Sequence, residues 1–293
     1  MIELGPFARE KAQQFPKGHP ERVALEGMAA IAENWARRNG AARTEILPTP
    51  EQLFASEKEA WKQFLGKEIN IPEPPQQLFE AARLAIEHGI TSFEAHLLPK
   101  LELKQNSKFP GWHIKPEEWY WQKIKEGEIA KDAARLPGVW VLVDGAQKPN
   151  YDDGKQLYEN DGFGQILLRL REEGRIETPN SYSHVPRTSR FAVTPIERET
   201  HFYQALAEVL NVGKDKVRIT REIESNIIGN IHHPEWGQTN TSEWFDDKFG
   251  DGRRLVGGRS DYGGLARVDC NWRDDRLGNV GFRPLIVFSS SKS

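Results

Sequence analysis

Apolar residues recur at three- and four-residue intervals in the first third of the chain. In residues 20–40, Val23, Leu25, Met28, Ile31, Ala32 and Trp35 fall near one helical face, and Gly40 supplies a stop. Segments 50–66 and 75–89 show the same periodicity, each opened by proline and closed at glycine, so two further helices are expected. Residues 1–110 therefore read as mainly helical. Beyond Pro110 the pattern changes: the aromatic stretch 111–127 leads to LPGVWVLVDG, an apolar run stopped by Asp144-Gly145, which predicts a strand and turn. Helical spacing returns at 156–175 and 196–212, and the end of the chain has two apolar runs around a polar, glycine-rich middle. The expected class is α+β, with a helical N-terminal region (1–110) and a second domain (111–293).

Composition narrows the chemistry. A hydrophobic fraction of 38% over 293 residues is enough for a substantial core, and a net charge of −3 favours neither nucleic acid nor an anionic membrane as partner. The opening MIELGPFAREK lacks a basic stretch followed by an apolar run, and no window approaches eighteen apolar residues, so a cytoplasmic protein is expected. A single cysteine, Cys270, excludes an internal disulfide, a CxxC pair and a multi-cysteine zinc site, and burial as a small hydrophobe is its expected role. Phosphate loops, nucleophile elbows and dinucleotide-binding glycine motifs are absent. His232-His233-Pro234-Glu235 is the nearest metal-like group, but adjacent histidines before proline point in different directions, so neither a metal site nor any cofactor is expected. Asp144-Gly145 and Tyr151-Asp152-Asp153-Gly154 read as turns.

Three short motifs follow one another near the end: Glu243-Trp244, then Arg254-Leu255-Val256-Gly257-Gly258, then Asn279-Val280-Gly281-Phe282-Arg283 leading into an apolar run at 285–288. This order resembles the closing segment of the formylglycine-generating-enzyme family, which has a C-type-lectin-like fold. The resemblance covers 243–288 directly and extends by continuity back to about 111. It implies a scaffold of Trp244, Gly257, Gly258, Trp272, Gly281, Phe282 and Arg283, in which paired glycines turn the backbone and a buried Arg283 ties loops together. The family's oxidases hold copper with a cysteine pair, and its iron-dependent relatives use a His-x3-His-x-Glu helix. Neither pattern occurs here, so no catalytic residues are expected and the chain reads as a binder, not an enzyme.

From Phe249 to Ser291 there is no Lys, Glu, Gln or Met, although seven arginines remain. Codons of the form NNY encode Arg, Ser, Asp, Tyr, Gly, Leu, Cys and Asn but none of those four, nor Trp. Mutation of adenines in AAY codons produces this alphabet, and it is how diversity-generating retroelements vary the C-terminal loop of target proteins with this fold, many of which end in Asn-Ile-Gly-Phe-Arg. The resemblance implies a variable region at about 257–283, with Ser260, Asp261, Tyr262, Asp269, Asp274, Asp275, Leu277 and Gly278 as ligand-contacting positions. Tyrosine supplies rigid contact area and Ser, Asp and Gly adaptable hydrogen bonding. The expected partner is a protein or other macromolecule, with no membrane or nucleic acid involved. The alternatives are a catalytic member of the same family, or a structural or assembly module whose helices carry the interaction.

Overall fold

The computed structural model describes residues 48–178 and 184–289; the helix expected at 20–40 lies outside them. All described residues belong to one compact unit of mixed α+β structure. Helix α1 (Pro50–Leu65) starts where its sequence says it should. Thr49 and Gln52 form a reciprocal capping box, Pro50 takes the first turn, and Gly66 closes the helix in the left-handed conformation at φ 72°. Its buried face carries Leu53, Trp61, Phe64, Leu65 and one charged residue, Glu57. Helix α2 (Gln76–Glu87) buries Leu78, Ala81, Ala82 and Ala85.

The first sheet begins earlier than expected. Strand β1 (Phe93–Leu98) and the short β2 (Leu101–Glu102) lie within the span read as helical, because strand identity here comes from a distant partner. β1 pairs antiparallel with β4 (Val139–Asp144) from Phe93↔Asp144 to Leu98↔Val139, while β2 pairs with β3 (Arg135–Leu136). The division at residue 110 is therefore not a boundary of the fold. The full order is β1-β4-β10-β5, all antiparallel, with β5 at Val217–Ile219 and the last strand, β10 (Pro284–Phe288), in the interior. Trp140, Val141, Leu142 and Val143 of β4 are all at most 1% exposed, as a strand covered on both faces requires.

The aromatic stretch folds as α3 (Glu118–Glu126), and the helix expected at 156–175 is the shorter α4 (Gly164–Glu172). The one expected at 196–212 begins at a Thr194–Glu197 capping box, passes through a π turn (Arg198–Phe202) and continues as α5 (Tyr203–Leu210) to a left-handed Asn211. Helix α6 (Glu222–Ile231) follows. The second sheet, ordered β8-β7-β6-β9, comprises β6 (Ser242–Phe249), β7 (Arg253–Gly257), β8 (Val268–Trp272) and β9 (Val280–Phe282), with only β6 and β9 parallel. The chain leaves this sheet at Phe282 and enters the first at Pro284, so Arg283 sits at the crossing between the two. A large core fills the space beside the first sheet, and a smaller cluster of Tyr120, Ile129, Ala133, Phe245, Phe249, Leu255 and Val268 packs beneath β7 and β8.

Candidate functional site

The three C-terminal motifs meet in space. Glu243 faces Gly257 on one side and Gly281 on the other, and Trp244 faces Val256 and Phe282. Arg283, fully buried, donates from Nη2 to Glu243 Oε1 at 2.9 Å, from Nη1 to the carbonyls of Asp144 and Ala146, and lies 3.6 Å above the Trp236 ring. Tyr158 adds a hydroxyl donor to Glu243 Oε1 at 3.0 Å. Gly257 has no room for a side chain, since a Cβ would come within 2.2 Å of the Arg267 carbonyl oxygen, and Gly258 adopts φ +79°. The Gly258 carbonyl accepts a hydrogen bond from Lys148 Nζ, which also donates to Thr239 Oγ1 and the Thr241 carbonyl. Burial pushes the Lys148 ammonium down to about 8.

On this frame the segment from Arg259 onward forms two short turns, Ser260–Tyr262 and Gly264–Ala266, then edge strand β8 and a loop back to β9. Asp261, Tyr262, Asp269 and Asp274 are exposed, and Ser260 and Asp275 are partly so. Tyr262, 63% exposed, lies beside the guanidinium groups of Arg259 and Arg267, which pair with Asp261 and Asp269 at 3.0 and 2.9 Å. These five side chains form a continuous patch of one aromatic and alternating charges. The loop behind it is fixed by Arg276, which holds both oxygens of Glu197 and the Ala192 carbonyl, and by Asp275 accepting from the Trp272 amide.

Three positions differ from the sequence expectation. Gly278 is buried, with its carbonyl engaged by Gln156 Nε2, and Leu277 packs against the main core with part of its side chain still exposed, so Gly278 presents no side chain and Leu277 only a portion of one. Trp272 is 49% exposed because it ends an edge strand beside Gly252, with only the Arg253 guanidinium, 4.4 Å over its ring, to cover it; it is a surface residue rather than part of the buried scaffold. Cys270 is half-buried against the smaller cluster, and burial pushes its thiol up.

A second constellation was legible only in part: the sequence marked His232, His233 and Glu235 but not Glu57, Glu94 or His96. The i, i+2 spacing of a strand puts Glu94 and His96 on one face of β1. Glu57 reaches them from the buried face of α1, and His232 and His233 arrive from the end of α6. His96 Nδ1 is 2.9 Å from Glu57 Oε1 and its Nε2 is 3.3 Å from Glu94 Oε2. His233 Nε2 is 2.8 Å from the same Glu94 oxygen, and its Nδ1 is 2.8 Å from Glu235 Oε1. Burial disfavours charge on His96, but the Glu57 and Glu94 carboxylates outweigh it and push the ring up to about 9. Burial, reinforced by His96 and His233, pushes His232 down to about 2. Glu94 also loses solvent, yet hydrogen bonds from His233 and His96 hold it well below the usual carboxylate range. The adjacent pair His232-His233 does diverge, as its sequence indicated: each joins a different group of possible metal-holding side chains, Glu57–His96–His232 and Glu94–His96–His233. Besides the adjacent histidines, a further sequence signal was available, since Glu57 interrupts an otherwise apolar helix face between Leu53 and Trp61.

Among the described residues, no helix is long and apolar enough to cross a membrane. Family models, curated proteins and solved structures were all compared with this chain, and none matches it.

Proposed function

We propose that this chain is a binding protein with a C-type-lectin-like domain, not an enzyme, and that its C-terminal segment is the ligand-contacting surface, diversified by a retroelement. The observation that carries the reading is the patch formed by Arg259, Asp261, Tyr262, Arg267 and Asp269: an exposed aromatic between paired charges, on a segment whose backbone is tied by the Ser260 amide to the Thr239 carbonyl and by the Val268 amide to Glu117 Oε1. A rigid aromatic anchor surrounded by adaptable polar groups suits recognition of a protein or other macromolecule. It contains no arrangement of nucleophile, base and oxyanion donors. The convergence of Glu243, Gly257, Gly281 and Arg283 supports the family resemblance, because residues that are distant in sequence form one structural unit. The absence of Lys, Glu, Gln and Met from 249–291 supports diversification.

On this reading the varied positions are the exposed Asp261, Tyr262, Asp269 and Asp274, with the partly exposed Ser260 and Asp275, while Trp272 stays fixed because no NNY codon encodes it. The test is the DNA around the gene. A reverse transcriptase gene is expected nearby, with a non-coding near-copy of the segment for 257–283 that differs almost only at its adenines, giving AAY codons at Asp261, Asp269, Asp274 and Asp275. A locus without a reverse transcriptase or second copy overturns the diversification reading.

A further inference from the structure

We propose that Glu94, His96 and His233 bind a single first-row divalent cation of the zinc class. Their ligand atoms lie within 4.8 Å of one another, and both imidazole Nε2 atoms already face the same carboxylate oxygen, at 3.3 and 2.8 Å. An ion with bonds of about 2.0–2.2 Å separates its ligand atoms by roughly 3.4 Å, so small side-chain rotations accommodate it.

The surroundings are those of a metal centre. A ligating histidine is normally oriented by a carboxylate on its other nitrogen, and both histidines have one: Glu57 on His96 Nδ1 and Glu235 on His233 Nδ1. These carboxylates and rings are themselves held. Glu57 Oε2 accepts from the Leu97 amide at 2.9 Å, and the His233 ring stacks on Trp236 at 4.5 Å and 4°. Glu94 has its space because residue 145 is glycine; a Cβ there would come within 2.2 Å of Glu94 Oε1. With the imidazoles neutral, as ligation requires, three carboxylates face one dication. The Glu94 side chain is 43% exposed, which gives the ion a path in and leaves the remaining coordination positions to water.

The alternative group is less suited. His96 and His232 are stacked at 4.0 Å and 26°, so their in-plane lone pairs run side by side, whereas the His96 and His233 rings meet at 79° and converge on one point. Two imidazoles and a carboxylate with open positions select zinc, iron or a similar ion over calcium or magnesium. The ion would fasten β1 to the Pro234–Gly237 turn. That turn touches the Gly263–Ala266 segment, where a Cβ on Gly264 would lie 2.6 Å from the Gly237 carbonyl oxygen, so metal would also stiffen the support of the candidate binding patch.

The experiment is zinc titration of the full chain after chelator treatment, followed by calorimetry and thermal denaturation, with circular dichroism to confirm that each variant folds. The wild type is expected to bind one equivalent and melt at a higher temperature when loaded. Glu94→Ala and His233→Ala should lose stoichiometric binding. Glu235→Gln should weaken it roughly 10–100-fold, the usual effect of removing a group that orients a ligand; His113→Ala, at an exposed position, should bind like wild type. No stoichiometric zinc in the wild type would mean that the cluster is only a hydrogen-bonded relay, and unchanged binding by Glu94→Ala with loss in His232→Ala would move the ion to the other group; either result overturns the proposal.

Discussion

Replacing Arg283 with methionine keeps most of the side-chain volume and removes the guanidinium. Glu243, only 2% exposed, then keeps the Tyr158 hydroxyl but loses its cation, and the carbonyls of Asp144 and Ala146 lose a charged donor. Breaking a buried ion pair from one side costs about 3–5 kcal/mol, since the remaining charge stays desolvated. For a unit of this size 1 kcal/mol moves the melting temperature by roughly 2–4 °C, so a loss near 4 kcal/mol lowers it by roughly 8–16 °C. Arg283→Met, Glu243→Gln and the double variant should be compared by urea unfolding. Because Glu243→Gln removes the stranded charge, the double variant should lose at least about 2 kcal/mol less than the two single losses added together. Ser260→Ala and Asp274→Ala, on the surface of the loop, should each stay within about 0.5 kcal/mol of wild type. A loss below about 1 kcal/mol for Arg283→Met, a coupling near zero, or losses of the same size in the loop variants would refute this account of the crossing between the sheets.

Further outcomes concern burial. Gly257→Ala drives a Cβ into the Arg267 carbonyl and the Phe245 ring and should cost about 1–3 kcal/mol in unfolding experiments. Burial pushes the Asp247 carboxyl up to about 7 from its ordinary 3.8, so the folded state keeps a proton that the unfolded chain has released between those values. Stability from this group therefore falls as pH rises from about 4 to 7 and levels off above; Asp247→Asn should remove that slope and be more stable than wild type, relative to pH 5, when both are measured at pH 8. The Cys270 thiol, raised by burial, should be alkylated more slowly at pH 8 than free cysteine, and an equal rate would place it in solvent.

Much of the fold was legible where structure is decided locally. The Thr49–Gln52 box, Pro50 and Gly66 delimit α1 without any long-range information, and the run at 139–144 is apolar enough to declare a strand buried on both faces. β1 was missed although Phe93-Glu94-Ala95-His96-Leu97 alternates, because five residues following helical text are a short signal and the strand is secured by pairing with residues more than forty positions away. Trp272 misleads for a related reason: tryptophan favours burial, but its place at the end of an edge strand is set by the hairpin, not by its neighbours in sequence. The candidate binding patch could be anticipated from composition, whereas the histidine–glutamate cluster draws on α1, β1 and the turn after α6, and only the fold assembles it.

The interior position of β10 has a consequence for how the protein is made. Strands β4 and β5 are both translated long before residues 284–288, yet neither has its shared neighbour until those residues appear. The first sheet thus stays open while the loop at 257–283 is being synthesised. A chain that ends within this segment lacks β10 and has an incomplete core, which exposes apolar β4 to quality control. Only a chain that extends past residue 288 can close the sheet, so completion of this core is coupled to translation of the last strand.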